Sequence, residues 1–311
     1  MAQFLTHLFN GLTLGAVYAL IALSYTMVYG VLKLINFAYS GLFTIGAYAA
    51  IWGLGVAGIN GGRTMTLVAI VAAVVGSILV GMVCSGVIGV MVERIAYRPL
   101  RLAPILAPLI SALGMAQILQ NGTQLVAGTA PQFYPPIVQG SGFSVGGTTV
   151  TPLQITIIVL AIVLMILLYG LVHRTRFGLQ IQATAEDIQT ARLMGIRTDR
   201  VIALVFLLGS ALGGAAGVLY AIYYGTATTT MGYIPSIKAF TAAVLGGIGN
   251  IPGAMVGGFL LGVIESFGAG YLPQVTNGAI GSNYEDVFAF IILIIILTIK
   301  PTGLLGERVT R

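Results

Sequence analysis

Long uncharged apolar runs, most near the length of a membrane crossing, organise this chain. A hydrocarbon core about 30 Å thick needs about 20 helical residues. Leu8 to Tyr29 meets that length without a single Asp, Glu, Lys or Arg, as do Leu34 to about Leu54 and Thr66 to Val92. Leu102 to His173 is also free of those residues. It breaks at Pro131, Pro135 and Pro136 and at the Gly/Ser/Thr-rich stretch Gly140 to Thr151, which leaves spans of about Ile105 to Val126 and Leu153 to Val172. Val201 to Tyr224 adds another span. Ala239 to Phe267 is apolar but interrupted by Gly246, Gly247, Gly249, Pro252 and Gly253. The last run, Val287 to Ile299, is short and extends if Lys300 snorkels. The pattern predicts an all-α, polytopic transmembrane bundle. It has about eight spans plus a Gly-interrupted re-entrant or paired-short-helix segment near 239–267.

Composition sharpens the class. Only 7% of the 311 residues are charged, against roughly 25% in soluble domains. That is too few to coat a soluble protein of this size, so a water-soluble enzyme is excluded. The runs do not alternate as the strands of a membrane β-barrel do. The 43 glycines follow no three-residue period. They suit closely packed membrane helices instead. The first run lacks a basic leader and is too long for a cleavable signal, so it reads as a retained span. Cys84 stands alone in an apolar run as a packing residue.

The 14 basic residues set the orientation. They gather at Arg94, Arg98 and Arg101, then at Arg174, Arg176, Arg192, Arg197 and Arg200, then at Lys300, Arg308 and Arg311. The positive-inside rule places all three clusters in the cytoplasm. The intervening loops hold little positive charge beyond Arg63 and face outward. The N-terminus is then outside and the C-terminus inside. An even number of crossings must separate the second and third clusters, so 239–267 enters and leaves on one side.

Irregular backbone at membrane depth is tolerated where it is buried in protein or lines a cavity. Two such breaks stand out. One runs from Gly30 to Gly41 and holds Lys33, Asn36, Tyr39 and Ser40. The other runs from Lys238 to Gly253, holds Thr241, Gly246, Gly247 and Gly249, and leads to Glu265. Both are candidates for a solute pathway, with a tight turn and small-residue helix packing as the respective alternatives. Gln120 and Asn121 end an apolar span, either at the interface or facing the pathway. Lys238 and Glu265 lie near span ends, which predicts snorkelling. Trp52 and Tyr224 read as interface anchors.

Between 172 and 200, Thr184 is a candidate cap for a helix carrying Glu186 and Asp187 in its first turn and ending at Gly195. At about ten residues it is marginal alone in water. The rest of the protein, or a partner's groove, should hold it. His7 and His173 stand alone, with no metal spacing. Gly246-Gly247-Ile248-Gly249 lacks the Lys of a phosphate loop. No catalytic, cofactor or nucleic-acid constellation is present. An ATP-driven process would need its ATPase on another chain.

The segments Asn10–Gly30, Ile35–Ala38, Glu93–Leu100, Ala185–Asp187 with Met194–Ile196, Lys238–Ala254 and Pro301–Leu304 resemble the H-type integral membrane permeases of branched-chain amino acid ABC importers. They run in order through nearly the whole chain. The resemblance implies one transmembrane permease domain over 1–311, half of a pore completed by a second permease. It further implies two cytoplasmic ATPases holding ATP and Mg²⁺, a periplasmic binding protein, and residence in the bacterial inner membrane. The cargo it implies is leucine, isoleucine, valine or a related neutral amino acid; urea, short amides or a sugar are the alternatives. Within 172–200 it implies a coupling segment through Ala185, Glu186, Asp187, Ala191 and Gly195. The family usually reads Asn-Phe-Ala-His-Gly, where this chain has Asn36-Phe-Ala-Tyr39-Ser40. From the residues alone, a channel or secondary transporter remains the reading of another class, although mid-span Asp and Glu are scarce.

Overall fold

The computed structural model describes residues 2–59, 66–101, 103–104, 106–138, 142–145, 147–275 and 284–306. Arg63, Arg308 and Arg311 lie outside the described residues. The helices are α1 (Ala2–Leu32), α2 (Tyr39–Val56), α3 (Leu67–Val92), α4 (Leu106–Ala127), α5 (Pro152–Arg174), α6 (Arg176–Glu186), α7 (Ile188–Leu193), α8 (Thr198–Tyr224), α9 (Tyr233–Gly246), α10 (Ile251–Val275) and α11 (Glu285–Ile299). Among the described residues, six helices are long and apolar enough to cross a membrane: α1, α2, α3 with its continuation, α5, α8 and α10. Against the expected count of about eight spans, α4, α9 and α11 fall outside that length-and-composition criterion. α4 has the length but carries Gln117, Gln120, Asn121 and Gln124. α9 and α11 are short, at 14 and 15 residues.

α1 is apolar all round, and a helix of that kind belongs in the interior. It is the central helix, with 89% of its apolar window buried against 28% for α5. Small residues let its neighbours approach. Gly11 and Gly15 lie on the backbone of α10 at Val263 and Phe259, and a Cβ on Gly258 would overlap Ala19. These contacts make α1 and α10 antiparallel. α3 and α8 are antiparallel too, since Gly89 meets Ser210 and Gly81 meets Val218.

Short strands close one end of the bundle. β1 (Gln132–Phe133) pairs antiparallel with β4 (Thr226–Ala227), with Gln132 opposite Ala227. β2 (Phe143–Val145) and β3 (Thr148–Val150) form a small hairpin. Thr151 caps α5 in a reciprocal capping box with Gln154. Trp52 donates to Gln132 at 3.1 Å, which anchors α2 to this end.

The interrupted 239–267 region is a helical hairpin, but an unequal one. Gly246 packs on Gly253 and Gly257 on Ala242, so α9 and α10 run antiparallel on close backbone contact. α10 has 25 residues and is long enough to cross by itself. α9, at about 1.5 Å per residue, spans roughly 21 Å. The pairing of helices was legible; the assignment of two short helices was not. The turn at 247–250 uses positive φ at Gly247 and Gly249. Leu304 and Leu305 donate their N–H groups to the carbonyls of Leu245 and Gly246, which pins the segment after α11 to the end of α9.

Candidate functional site

Three groups of residues carry the polar chemistry of this bundle. The first lies where α9 and α10 meet α1 and α11. Lys238 on α9 and Glu265 on α10 are 7% and 4% exposed. Lys238 Nζ lies 2.9 Å from Glu265 Oε1 and 2.5 Å from Asp286 Oδ1 of α11. Tyr18 of α1 donates its hydroxyl to the same Glu265 oxygen at 3.1 Å. The Lys238 ammonium also stands 5.8 Å from the centre of the Tyr18 ring. This corrects the snorkelling expectation: both charges are buried and paired across helices. The hairpin explains the meeting. A register that sets 246 opposite 253 and 242 opposite 257 brings 238 opposite 261, one turn from Glu265. A cavity of about 420 Å³ opens beside the pair, walled by Tyr18, Tyr220, Tyr224, Thr226, Thr228 and Ile234.

The second group is at the opposite end. α3 continues as a π-helical turn (Glu93–Tyr97) and a short 3₁₀ turn (Arg98–Leu100). The detour buries Glu93, which pairs with Arg101. Arg101 also reaches Asp199 in the first turn of α8 at 2.7 Å, and Arg98 reaches it at 3.0 Å. Arg192 donates to Thr198 at 2.8 Å. Arg192 also reaches Asp199 at 3.4 Å, so the first two basic clusters meet at one shared carboxylate. Lys300 belongs to the same end, because the segment after it is pinned to the α9–α10 turn and α10 starts there.

The segment between α5 and α8 departs from the expected single helix. α6 ends at Glu186, and the chain extends at Asp187 (φ −152°, ψ 114°) before α7 begins. Thr184 is not a cap; it is buried within α6, where its hydroxyl donates to Gln180 O. Asp187 is the cap, accepting from Gln189 N at 2.7 Å and Thr190 N at 3.2 Å. The Thr190 hydroxyl and these N–H groups hold its carboxyl below the ordinary carboxylate value. The ionised cap is therefore fully present above the ordinary carboxylate range and is lost as pH falls through that lowered value. Gly195 ends the segment at φ 84° as expected. Of the remaining predicted residues here, Ala191 is buried, Ala185 half-buried and Glu186 exposed. Leu193 and Met194, which sequence reasoning passed over, are 87% and 79% exposed.

The third group is the break between α1 and α2. Asn36 is buried, and its Oδ1 accepts from Tyr97 Oη at 2.7 Å and Ala38 N at 3.0 Å. Tyr39 is fully buried, stacked edge-on to Tyr25 at 5.1 Å and pressed against Gly209. Ser40 donates to Phe37 O. A neutral phenol suits this sealed position, where an imidazolium would be desolvated. Gln120 is half-buried and Asn121 exposed on α4. Thr241 is half-buried and donates to Lys238 O at 2.6 Å. Gly246 and Gly247 are buried in the hairpin turn, and Gly249 is exposed there. The structure does not gather these residues into one cluster. Asn36 lies in the break between α1 and α2 with Tyr39 and Ser40 opening α2 beside it, while Thr241 lies within α9 ahead of the turn that holds the glycines.

An apolar central helix, small-residue crossings and an interrupted helical hairpin define a multi-span helical membrane protein. Known proteins place it more closely. A family model described as "Branched-chain amino acid transport system / permease component" matches residues 7–297. The permease protein BraD of the high-affinity branched-chain amino acid transport system of Pseudomonas aeruginosa is 42% identical over 309 residues, 98% of this chain and 96% of that protein. LivH of Escherichia coli strain K12, the corresponding permease protein there, is 41% identical over 311 residues with the same coverage. A metal-chelate type ABC transporter in an inward-facing conformation shares the fold at a TM-score of 0.50 and 16% identity, over 94% of this chain and 87% of its own. The chain belongs to the branched-chain amino acid transport permease family. It is a transport component and not an enzyme.

Proposed function

We propose that this chain forms half of the pore of an ATP-driven importer for leucine, isoleucine, valine or related neutral amino acids. The observation that carries the reading is the near full-length match to BraD and LivH. A second permease completes the pore. Two cytoplasmic ATPases bind ATP and Mg²⁺, and a periplasmic binding protein delivers substrate. The complex sits in the inner membrane with the basic end of the bundle in the cytoplasm, the N-terminus outside and the C-terminus inside.

Residues 172–200 serve as the coupling segment of a single permease domain spanning 1–311. Ala185, Glu186, Asp187, Ala191 and Gly195 shape it, and α7 presents Leu193 and Met194 to the ATPase. This is helix-in-groove docking on a short scale. Asn36, Tyr39 and Ser40, with Gly246, Gly247 and Gly249, frame the pathway as two packed breaks. Thr241, Gln120 and Asn121 offer polar groups along it. A two-state change in the packing of the breaks switches access from one side to the other.

Asn36→Leu is a poor probe of the pathway, since it strips Tyr97 Oη of its acceptor. Gly247→Leu would press a side chain onto the backbone of residue 306. Asn121→Leu and Thr241→Val avoid both faults. Both variants are expected to assemble normally and to slow leucine uptake into vesicles by about tenfold if solute passes them, a barrier change near 1.4 kcal/mol. Normal uptake by both would move the pathway away from these positions.

A further inference from the structure

The cavity beside Lys238 is walled by groups whose hydrogen-bonding capacity the described residues do not fill. Glu265 Oε1 accepts from both Lys238 and Tyr18. Glu265 Oε2 is buried and has no partner among the described residues. Buried carboxylate oxygens are normally satisfied, so this one marks a position where something else should donate. A lysine ammonium carries three donors. Lys238 donates one of them to Glu265 Oε1 and forms an ion pair with Asp286 Oδ1 at 2.5 Å. A spare anionic acceptor and a spare cationic donor therefore stand side by side at the wall of one cavity.

We propose that this cavity is a subsite for a zwitterionic amino acid, with Glu265 Oε2 accepting from its ammonium and Lys238 donating to its carboxylate. The three side chains sum to one negative charge. A simple anion would meet that excess, and a simple cation would leave the Lys238 donor open. A zwitterion fills both valences without altering the local charge. Met231 and Ile234 offer an apolar surface for its side chain, and Thr226 and Thr228 offer hydroxyls. The volume of about 420 Å³ falls within the usual range for small-ligand sites. The subsite rests on the importer reading and adds to it a recognition step inside the membrane, after delivery. An ion cluster that merely pins α9 and α10 to α11 would show no such ligand selectivity.

The test uses the assembled importer in lipid vesicles without its binding protein, with radiolabelled leucine as the probe. Leucine should bind saturably. Excess unlabelled valine should displace it. Excess 4-methylpentanoate, which lacks the ammonium, and isopentylamine, which lacks the carboxylate, should not. Glu265→Gln keeps the shape and the hydrogen bond from Lys238 but removes the anionic acceptor. It should weaken leucine binding about tenfold or more, with the complex recovered in wild-type amount. If that variant fails to assemble, the displacement series on the wild-type complex carries the test by itself. Equal displacement by all three analogues, or unchanged affinity in an assembled Glu265→Gln complex, would overturn the subsite. Absent binding alongside normal leucine uptake by the complete importer would also overturn it, and would leave the importer reading standing. Absent uptake by the complete importer would overturn both.

Discussion

Replacing Lys238 by Met is expected to destabilise the chain by about 3–5 kcal/mol, the usual cost of removing one partner from a buried ion pair. The loss leaves Glu265 and Asp286 as two carboxylates with no cation between them, one on α10 and one on α11. Like charges in a weakly polar interior repel strongly. The hairpin should loosen from α11 and from Tyr18 on α1. The purified permease would show this as a drop in its thermal midpoint. Fluorescence of Trp52, the one tryptophan, offers a readout at the far end of α2. Neutralising all three side chains together, Lys238→Met with Glu265→Gln and Asp286→Asn, should restore most of the lost stability, because no buried charge is then left alone. A triple variant as unstable as the single one would contradict an ionic role for the cluster.

The second large effect is expected at α7. Leu193, the last residue of the six-residue α7, and Met194, its C-cap, are 87% and 79% exposed. Large apolar side chains side by side on an otherwise polar loop mark a contact surface. Leu193→Glu with Met194→Glu should leave the bundle folded, since neither side chain touches the core. Substrate-stimulated ATP turnover should fall about tenfold or more, because two carboxylates would be forced into an apolar contact without partners. The ATPase should also co-purify in reduced amount. Wild-type values for both would remove α7 from the coupling surface. The charge-reversing pair Glu186→Lys and Asp187→Lys is a less clean probe, because Asp187 caps α7 and its loss unravels the helix as well as altering its charge.

Much of this architecture was readable from periodicity and charge. Uncharged runs marked the long helices, and Gly-rich interruptions marked the hairpin. Arg98, Arg101 and Arg192 meet at Asp199, so the first two basic clusters lie at one end of the bundle. Other features depend on contacts that a linear reading does not contain. Lys238 and Glu265 looked like span-end residues because the register of α9 against α10 was unknown; with it, the two face each other. Asp286 joins the cluster because α11 returns to α9, a contact absent from the linear order of the chain. Thr184 and Asp187 both had cap chemistry, and only the fold-back of α6, which buries Thr184, decides between them. A break between α1 and α2 is present at Asn36, with Tyr39 and Ser40 in the first turn of α2. Whether such a break lines a pathway or seals one is set by the neighbours, and here Tyr97 and Gly209 close it in.

The account stands or falls on whether transport through this chain is driven by ATP. The decisive measurement is accumulation of radiolabelled leucine in vesicles containing this chain, the second permease and the two ATPases, with binding protein outside and ATP with Mg²⁺ inside. Accumulation above the external concentration that stops without ATP, and stops when this chain is left out, is the predicted result. Leucine that merely equilibrates across the membrane, with or without ATP, would contradict it.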